Sequence, residues 1–174
     1  MDRLFLDANV LYSAAESPTS RFQVFWNMND VELITSVYTL REARRNLDSD
    51  ALRDRLADLA EGLTVVENPP ADFSFTTSLE LPEKDRPILL AAIHARATHL
   101  LTGDKKHFGR YYGQTIEGVL ILPPAEYLRT RSGSWGKVIV LLGSKQNLRT
   151  TYASTTENLE TLLLSWKETE FSLC

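Results

Sequence analysis

The stretch Leu100-Leu101-Thr102-Gly103-Asp104-Lys105-Lys106-His107-Phe108 runs from an apolar strand into a turn bearing one aspartate and a burst of positive charge. His99 to Thr102 is short, apolar and closed by a glycine, as the strands of a buried parallel sheet are. Leu4-Phe5-Leu6-Asp7-Ala8-Asn9-Val10-Leu11 repeats the arrangement near the start of the chain, an apolar strand with an aspartate directly behind it. Outward from these two segments the pattern alternates. A helical stretch is expected around Arg21 to Met28 and a strand over Val31 to Thr35. Ser36 then stands at a helix N-cap, with Val37, Leu40, Ala43 and Leu47 marking an apolar face. A helix over Asp50 to Ala60 ends near Gly62, and Leu63 to Val66 reads as a third strand. A long connection from Asn68 to about Glu83 is opened by Pro69-Pro70. It leads to an Ala-rich helix over Asp85 to Ala97, with Pro87 in its first turn. Val119 to Leu122, stopped by Pro123-Pro124, is the fifth strand.

Strands alternating with helices predict an α/β fold: three α/β/α layers around a central parallel sheet of about five strands, over residues 1–129. Sheets of this kind gather ligands at the carboxyl ends of their strands, where strand order reverses. Residues 130–174 form a C-terminal extension. Val138 to Leu142 suits a strand there, and Ser154 and Glu157 have capping-box spacing ahead of the helical face Leu159, Leu162, Leu163 and Trp166. That face would pack on its own domain or make a homodimer contact. Gly133-Ser134-Trp135-Gly136-Lys137-Val138 is too short for a P-loop, and no Ser or Thr follows its lysine.

Composition narrows the function. The 174 residues are 43% hydrophobic and 24% charged, a globular balance. The longest apolar run, Ile88 to Ile93, is too short to cross a membrane, and Asp7 interrupts Leu4-Phe5-Leu6 too early for a secretory signal. The single cysteine, Cys174, excludes an intrachain disulfide and a Cys-based zinc finger, so the cytoplasm is the expected compartment. Nineteen Lys and Arg against 23 Asp and Glu give a net charge of −4, which disfavours binding nucleic acid by bulk attraction. It leaves room for an enzyme whose carboxylates hold metal ions and whose cations are clustered locally.

Four carboxylates carry that reading. Asp7 and Asp104 follow strands, Asp85 opens a helix, and Glu42 lies one turn into the helix after the second strand. Each also has an ordinary explanation. An Asp behind a strand forms turns, Asp85 suits an N-cap, and a helical wheel turns Glu42 away from the apolar face toward solvent. If they converge, each pair about 4 Å apart repels by roughly 4 kcal/mol at an effective dielectric near 20. A bound dication reverses that balance. Oxygen donors select Mg²⁺ or Mn²⁺, ions that activate water and stabilise phosphoryl oxygens.

Taken in order, the segment around Asp7, Ser36 to Glu42, Lys84-Asp85-Arg86-Pro87-Ile88-Leu89-Leu90-Ala91-Ala92 and the segment around Asp104 resemble the PIN domain family over about residues 1–129. The Thr-Gly-Asp-Lys-Lys-His-Phe run is the most specific part. The resemblance implies a metal-dependent, VapC-like endoribonuclease, the toxin of a toxin–antitoxin pair, leaving 5′-phosphate and 3′-hydroxyl ends. The family's acidic positions fall on Asp7, Glu42, Asp85 and Asp104. Asp7, Asp85 and Asp104 would hold Mg²⁺ or Mn²⁺, while Glu42 would complete the shell or orient the attacking water. Asn9 would brace Asp7 and Thr102 would stand beside Asp104, whereas Ala8 replaces a Thr or Ser found in many members. RNA is the implied substrate and an antitoxin protein the implied partner.

Phosphate would be gripped by Arg41 and Arg45, which share a helix sector with Arg44, and by Lys105 and Lys106. His107 stands where it would touch phosphate, but His94, His99 and His107 have no metal-ligand spacing to one another. Phe73 and Phe75 suit either base stacking or the anchoring of their loop. Two alternatives stand beside the nuclease. One is a silent PIN-like module that binds RNA or protein. The other is a haloacid-dehalogenase-type phosphatase with Asp7 as nucleophile, against which Asn9 stands in place of that family's second aspartate.

Overall fold

The computed structural model describes residues 1–76 and 78–131. The extension's expected strand, capping box and amphipathic helix lie outside the described residues. The first compact unit spans Met1–Pro124. It opens with β1 (Asp2–Leu6) and α1 (Ala8–Glu16), then a 3₁₀ helix over Arg21–Asn27. There follow β2 (Val31–Ser36), α2 (Val37–Arg45), α3 (Asp50–Ala60), β3 (Thr64–Val66) and α4 (Arg86–His94). β4 (His99–Leu101), α5 (Lys105–Phe108), a 3₁₀ turn at Gly109–Tyr111, β5 (Thr115–Ile116) and β6 (Val119–Leu122) complete it. Helical backbone also covers 124–131.

The six strands lie in the order β3-β2-β1-β4-β6-β5. All neighbours are parallel except β5, which pairs antiparallel with β6. β1 to β2 to β3 steps one way across the sheet, while β3 to β4 to β6 returns and continues the other way. Right-handed crossovers then put α1 and α3 on one face and α4 on the other, the three-layer α/β/α arrangement. Strand order reverses between β1 and β4, so Asp7 and Asp104 leave adjacent strands at the switch point.

Alternation along the strands fills both layers. Phe5, Ile34, Leu100 and Ile121 pack with Ile88, Leu89, Ala92 and Phe108 in one core. Leu4, Leu6, Leu33 and Leu101, one residue out of phase, are also buried. The helix α1 has no counterpart among the expected elements, and two further details differ. α4 stops at His94, not Ala97, because Arg96 takes φ +54° and turns the chain out of the helix. Ala97 N–H reaches Ala92 O and Arg96 N–H reaches Ile93 O, both at 2.9 Å, which closes a Schellman cap. The sixth strand, β5, arises from a two-residue hairpin in which Glu117 and Gly118 both have positive φ.

Candidate metal centre

Asp7 is the N-cap of α1 and is only 3% exposed. Its Oδ1 accepts from Ala8 N–H at 2.5 Å. Its Oδ2 accepts from Asn9 Nδ2 at 2.7 Å and from the Thr102 hydroxyl at 2.5 Å. Thr102 Oγ1 in turn accepts from Asp104 N–H at 3.0 Å, and Asn9 Oδ1 from Gly103 N–H at 2.8 Å. Asn9 and Thr102 therefore stitch the end of β1 to the end of β4. Even so, burial above all pushes the Asp7 carboxyl up to about 6 from an ordinary 3.8, and the charges of Glu42 and Asp104 add to it. Three hydrogen-bond donors hold this carboxylate in place without neutralising it.

Asp104 caps α5, its Oδ1 accepting from His107 N–H at 3.1 Å. That one turn folds His107 back over the carboxylate, so Nδ1 lies 2.6 Å from Asp104 Oδ2 and 3.1 Å from Asp85 Oδ2. Asp85 is 4% exposed. It does not cap α4, correcting the simplest reading of its position: its own φ and ψ are already helical and its side chain bonds none of the helix N–H groups. Its carboxylate is thereby released toward Asp104. Tyr38 fixes this corner from α2, donating its hydroxyl to Lys84 O at 2.9 Å.

Glu42 is half-buried, not solvent-facing as its helical wheel suggests. The residues of α2 that are buried are Thr39 and Ala43, and Thr39, held by Ser36 at 2.9 Å, puts a polar residue on the inward face. Glu42 is one turn on from Thr39 and shares that face. Burial pushes its carboxyl up, with Asp85 and then Asp104 adding repulsion. Burial likewise raises Asp85, aided by Asp104 and opposed by Lys84 and His107. Each of the four carboxylates thus acts on at least one other.

Two atoms test whether a cation suits this place. Glu42 Oε2 and Asp85 Oδ2 are buried and have no hydrogen-bond partner. His107 Nδ1 stands 3.1 Å from Asp85 Oδ2 and 2.6 Å from Asp104 Oδ2, with hydrogen-bond geometry only to the latter. Orphaned anionic oxygens beside further carboxylates are a costly arrangement that a hard dication relieves, so the donor set fits Mg²⁺ or Mn²⁺. Among the described residues, Asp85, Asp104 and His107 offer ligand atoms all within 4.8 Å of one another.

Arg41, Arg45, Lys105 and Lys106 are all exposed, the first two on α2 and the others on α5. Arg45 acts electrostatically on Glu42. Lys84, which sequence reasoning did not single out, acts on both Glu42 and Asp85. Its signal was its place next to Asp85. Phe73 meets the exposed His94 edge-on at 5.2 Å, and Phe75 lies under Arg86 at 5.8 Å while packing on the core. Both contacts fit the anchoring of the loop.

A fold with its switch point between β1 and β4 and acidic side chains gathered there defines an α/β protein built around a carboxylate cluster. A family profile described as "PIN domain" matches residues 3–106, and the chain belongs to the PIN domain family. Its fold is similar to a chain in the crystal structure of VapBC2 from Rickettsia felis bound to a DNA fragment from their promoter. That likeness has a TM-score of 0.51 at 16% identity, over 70% of this chain and 98% of that one. Among curated proteins no sequence matches the chain.

Proposed function

We propose that this PIN domain is a Mg²⁺- or Mn²⁺-dependent endoribonuclease acting in the cytoplasm as the toxin of a toxin–antitoxin pair. The observation that carries the reading is the pair of buried oxygens on Glu42 and Asp85 that accept no hydrogen bond, within the electrostatic reach of Asp104 at the switch point. Asp7, Asp85 and Asp104 would hold the ion. When bound, it supplies positive charge to phosphoryl oxygens and lowers the pKa of water. Glu42 carries an unpartnered oxygen and a raised affinity for protons, which suits it to orient an attacking water and take up its proton. Asn9 and Thr102 keep Asp7 in place. Arg41, Arg45, Lys105 and Lys106 would bind the phosphates flanking the scissile bond, offsetting the acidic net charge locally.

Hydrolysis by activated water is favoured over an aspartyl-phosphate route because Asn9, which donates to Asp7, stands where the phosphatase family has its second aspartate. The likeness to VapBC2 supports an antitoxin partner, and the apolar repeat of Leu159, Leu162, Leu163 and Trp166 in the sequence would suit a homodimer contact. The test is cleavage of RNA with Mn²⁺ or Mg²⁺ added back to chelator-treated protein. Asp104→Asn and Asp7→Asn should each lower the rate at least about 100-fold with the circular dichroism spectrum unchanged. Undiminished cleavage in chelator, or in both variants, overturns the proposal.

A further inference from the structure

We propose that His107 is a ligand of the bound cation, its imidazole nitrogen joining Asp85 and Asp104 and biasing the centre toward a transition-metal dication over Mg²⁺. This rests on the metal-centre reading above and adds a residue that the four-carboxylate set leaves out. The local chain dictates the placement. Asp104 accepts the backbone N–H of His107 at 3.1 Å, so the first turn of α5 fixes the ring relative to the carboxylate three residues earlier. Nδ1 then lies 2.6 Å from one Asp104 oxygen and 3.1 Å from one Asp85 oxygen.

Those spacings match a shared coordination sphere. Octahedral ligands at about 2.1 Å from an ion stand about 3 Å from their neighbours. Asp85 provides the independent sign of a missing ligand: it is 4% exposed, and the oxygen facing His107 accepts no hydrogen bond. The ring is well sheltered, its side chain 19% exposed, so water competes weakly for the position. His94 is exposed at the far end of α4 against Phe73, and His99 Nδ1 is engaged with Thr98 Oγ1 at 2.8 Å. Neither faces the carboxylates. Mg²⁺ gains little from an imidazole, whereas first-row transition dications accept nitrogen readily. A nitrogen donor therefore discriminates between ions in a way that carboxylates alone do not.

The experiment uses Mn²⁺ as the probe on the full-length chain, read by pulsed electron paramagnetic resonance for ¹⁴N coupling and by equilibrium binding. Wild-type protein should bind Mn²⁺ saturably with a ¹⁴N coupling from one imidazole. In His107→Gln that coupling should vanish and Mn²⁺ affinity should fall about tenfold or more, with Mg²⁺ affinity, read by competition, changing much less. Saturable Mn²⁺ binding without ¹⁴N coupling in wild type, or with coupling that survives in His107→Gln, overturns the proposal and leaves the carboxylate centre standing. A coupling lost while both affinities fall equally defeats the claim of ion selectivity. Absence of saturable Mn²⁺ binding in wild type overturns both this proposal and the metal-centre reading. The wild-type spectrum decides ligation even if the variant fails to fold.

Discussion

The acidic cluster has two unlike halves. At the end of β1, Asp7 is enclosed by donors: Ala8, Asn9 and Thr102 serve both of its oxygens. Across the site, Glu42 and Asp85 each keep a buried oxygen that accepts no hydrogen bond. All three carboxyls nevertheless hold protons more tightly than usual, with burial as the leading cause. Hydrogen bonds fix where a carboxylate sits, but they do not offset several negative charges drawn out of water together. The Asp7 half is held in place by its own donors, and its Oδ1, which accepts one hydrogen bond, keeps a lone pair that would face an ion. The Glu42 and Asp85 half would be completed by a cation.

The largest expected effect on this contrast comes from pH. The Asp7 carboxyl titrates near 6 when folded against 3.8 ordinarily, so the folded state binds its proton more tightly. Its stabilising contribution is fully present below about 3.8, declines as pH rises, and is lost above about 6. A shift of about 2 units corresponds to about 3 kcal/mol. In chelator-treated protein the Tm of wild type, relative to Asp7→Asn, should therefore fall across that window. A difference that stays flat, or grows with pH, breaks the Asp7 half of the comparison. The raised carboxyls of Glu42 and Asp85 act in the same direction and leave a residual slope in the variant.

Thr102→Val sharpens the contrast next. It keeps the side chain's shape while removing the donor to Asp7 and the acceptor for Asp104 N–H. The buried bonds lost should cost about 2 kcal/mol by denaturant unfolding. Mn²⁺ affinity should drop at least about tenfold, as for other groups that orient metal ligands. A variant of wild-type stability and affinity would show the stitch between β1 and β4 to be idle. The smallest effect is expected at Glu42→Gln. The amide removes one negative charge from a buried oxygen that accepts no hydrogen bond, so the unfolding free energy in chelator at neutral pH should rise, by about 1 kcal/mol for this half-buried group. RNA cleavage should fall at the same time. Stability unchanged or lowered would mean that Glu42 is already satisfied without a cation.

Much of this was legible in the chain. The strands over Val31 to Ser36 and Val119 to Leu122 stand out because short apolar runs are closed by Ser36 and by Pro123-Pro124. The aspartates behind β1 and β4 follow from the same punctuation. α1 was missed, although Val10, Leu11, Ala14 and Ala15 recur at helical spacing, because Asp7-Ala8-Asn9 reads equally well as a turn. β5 is two residues long, and its turn is Glu117-Gly118 instead of the more readable Asn-Gly. Glu42 misled because Thr39, a polar residue, forms part of the buried face. His107 has no histidine at ligand spacing because its neighbours are carboxylates brought from other elements by the fold.

On the proposed reading, the carboxylates at the switch point share one hard dication. Anomalous diffraction from crystals of the full chain soaked in Mn²⁺ tests it most directly. A single strong peak is expected, bounded by Asp7, Glu42, Asp85 and Asp104, with the Asp85 and Asp104 oxygens at about 2.1–2.3 Å. A map with no peak there at saturating Mn²⁺, or with the ion held by other residues, would contradict it.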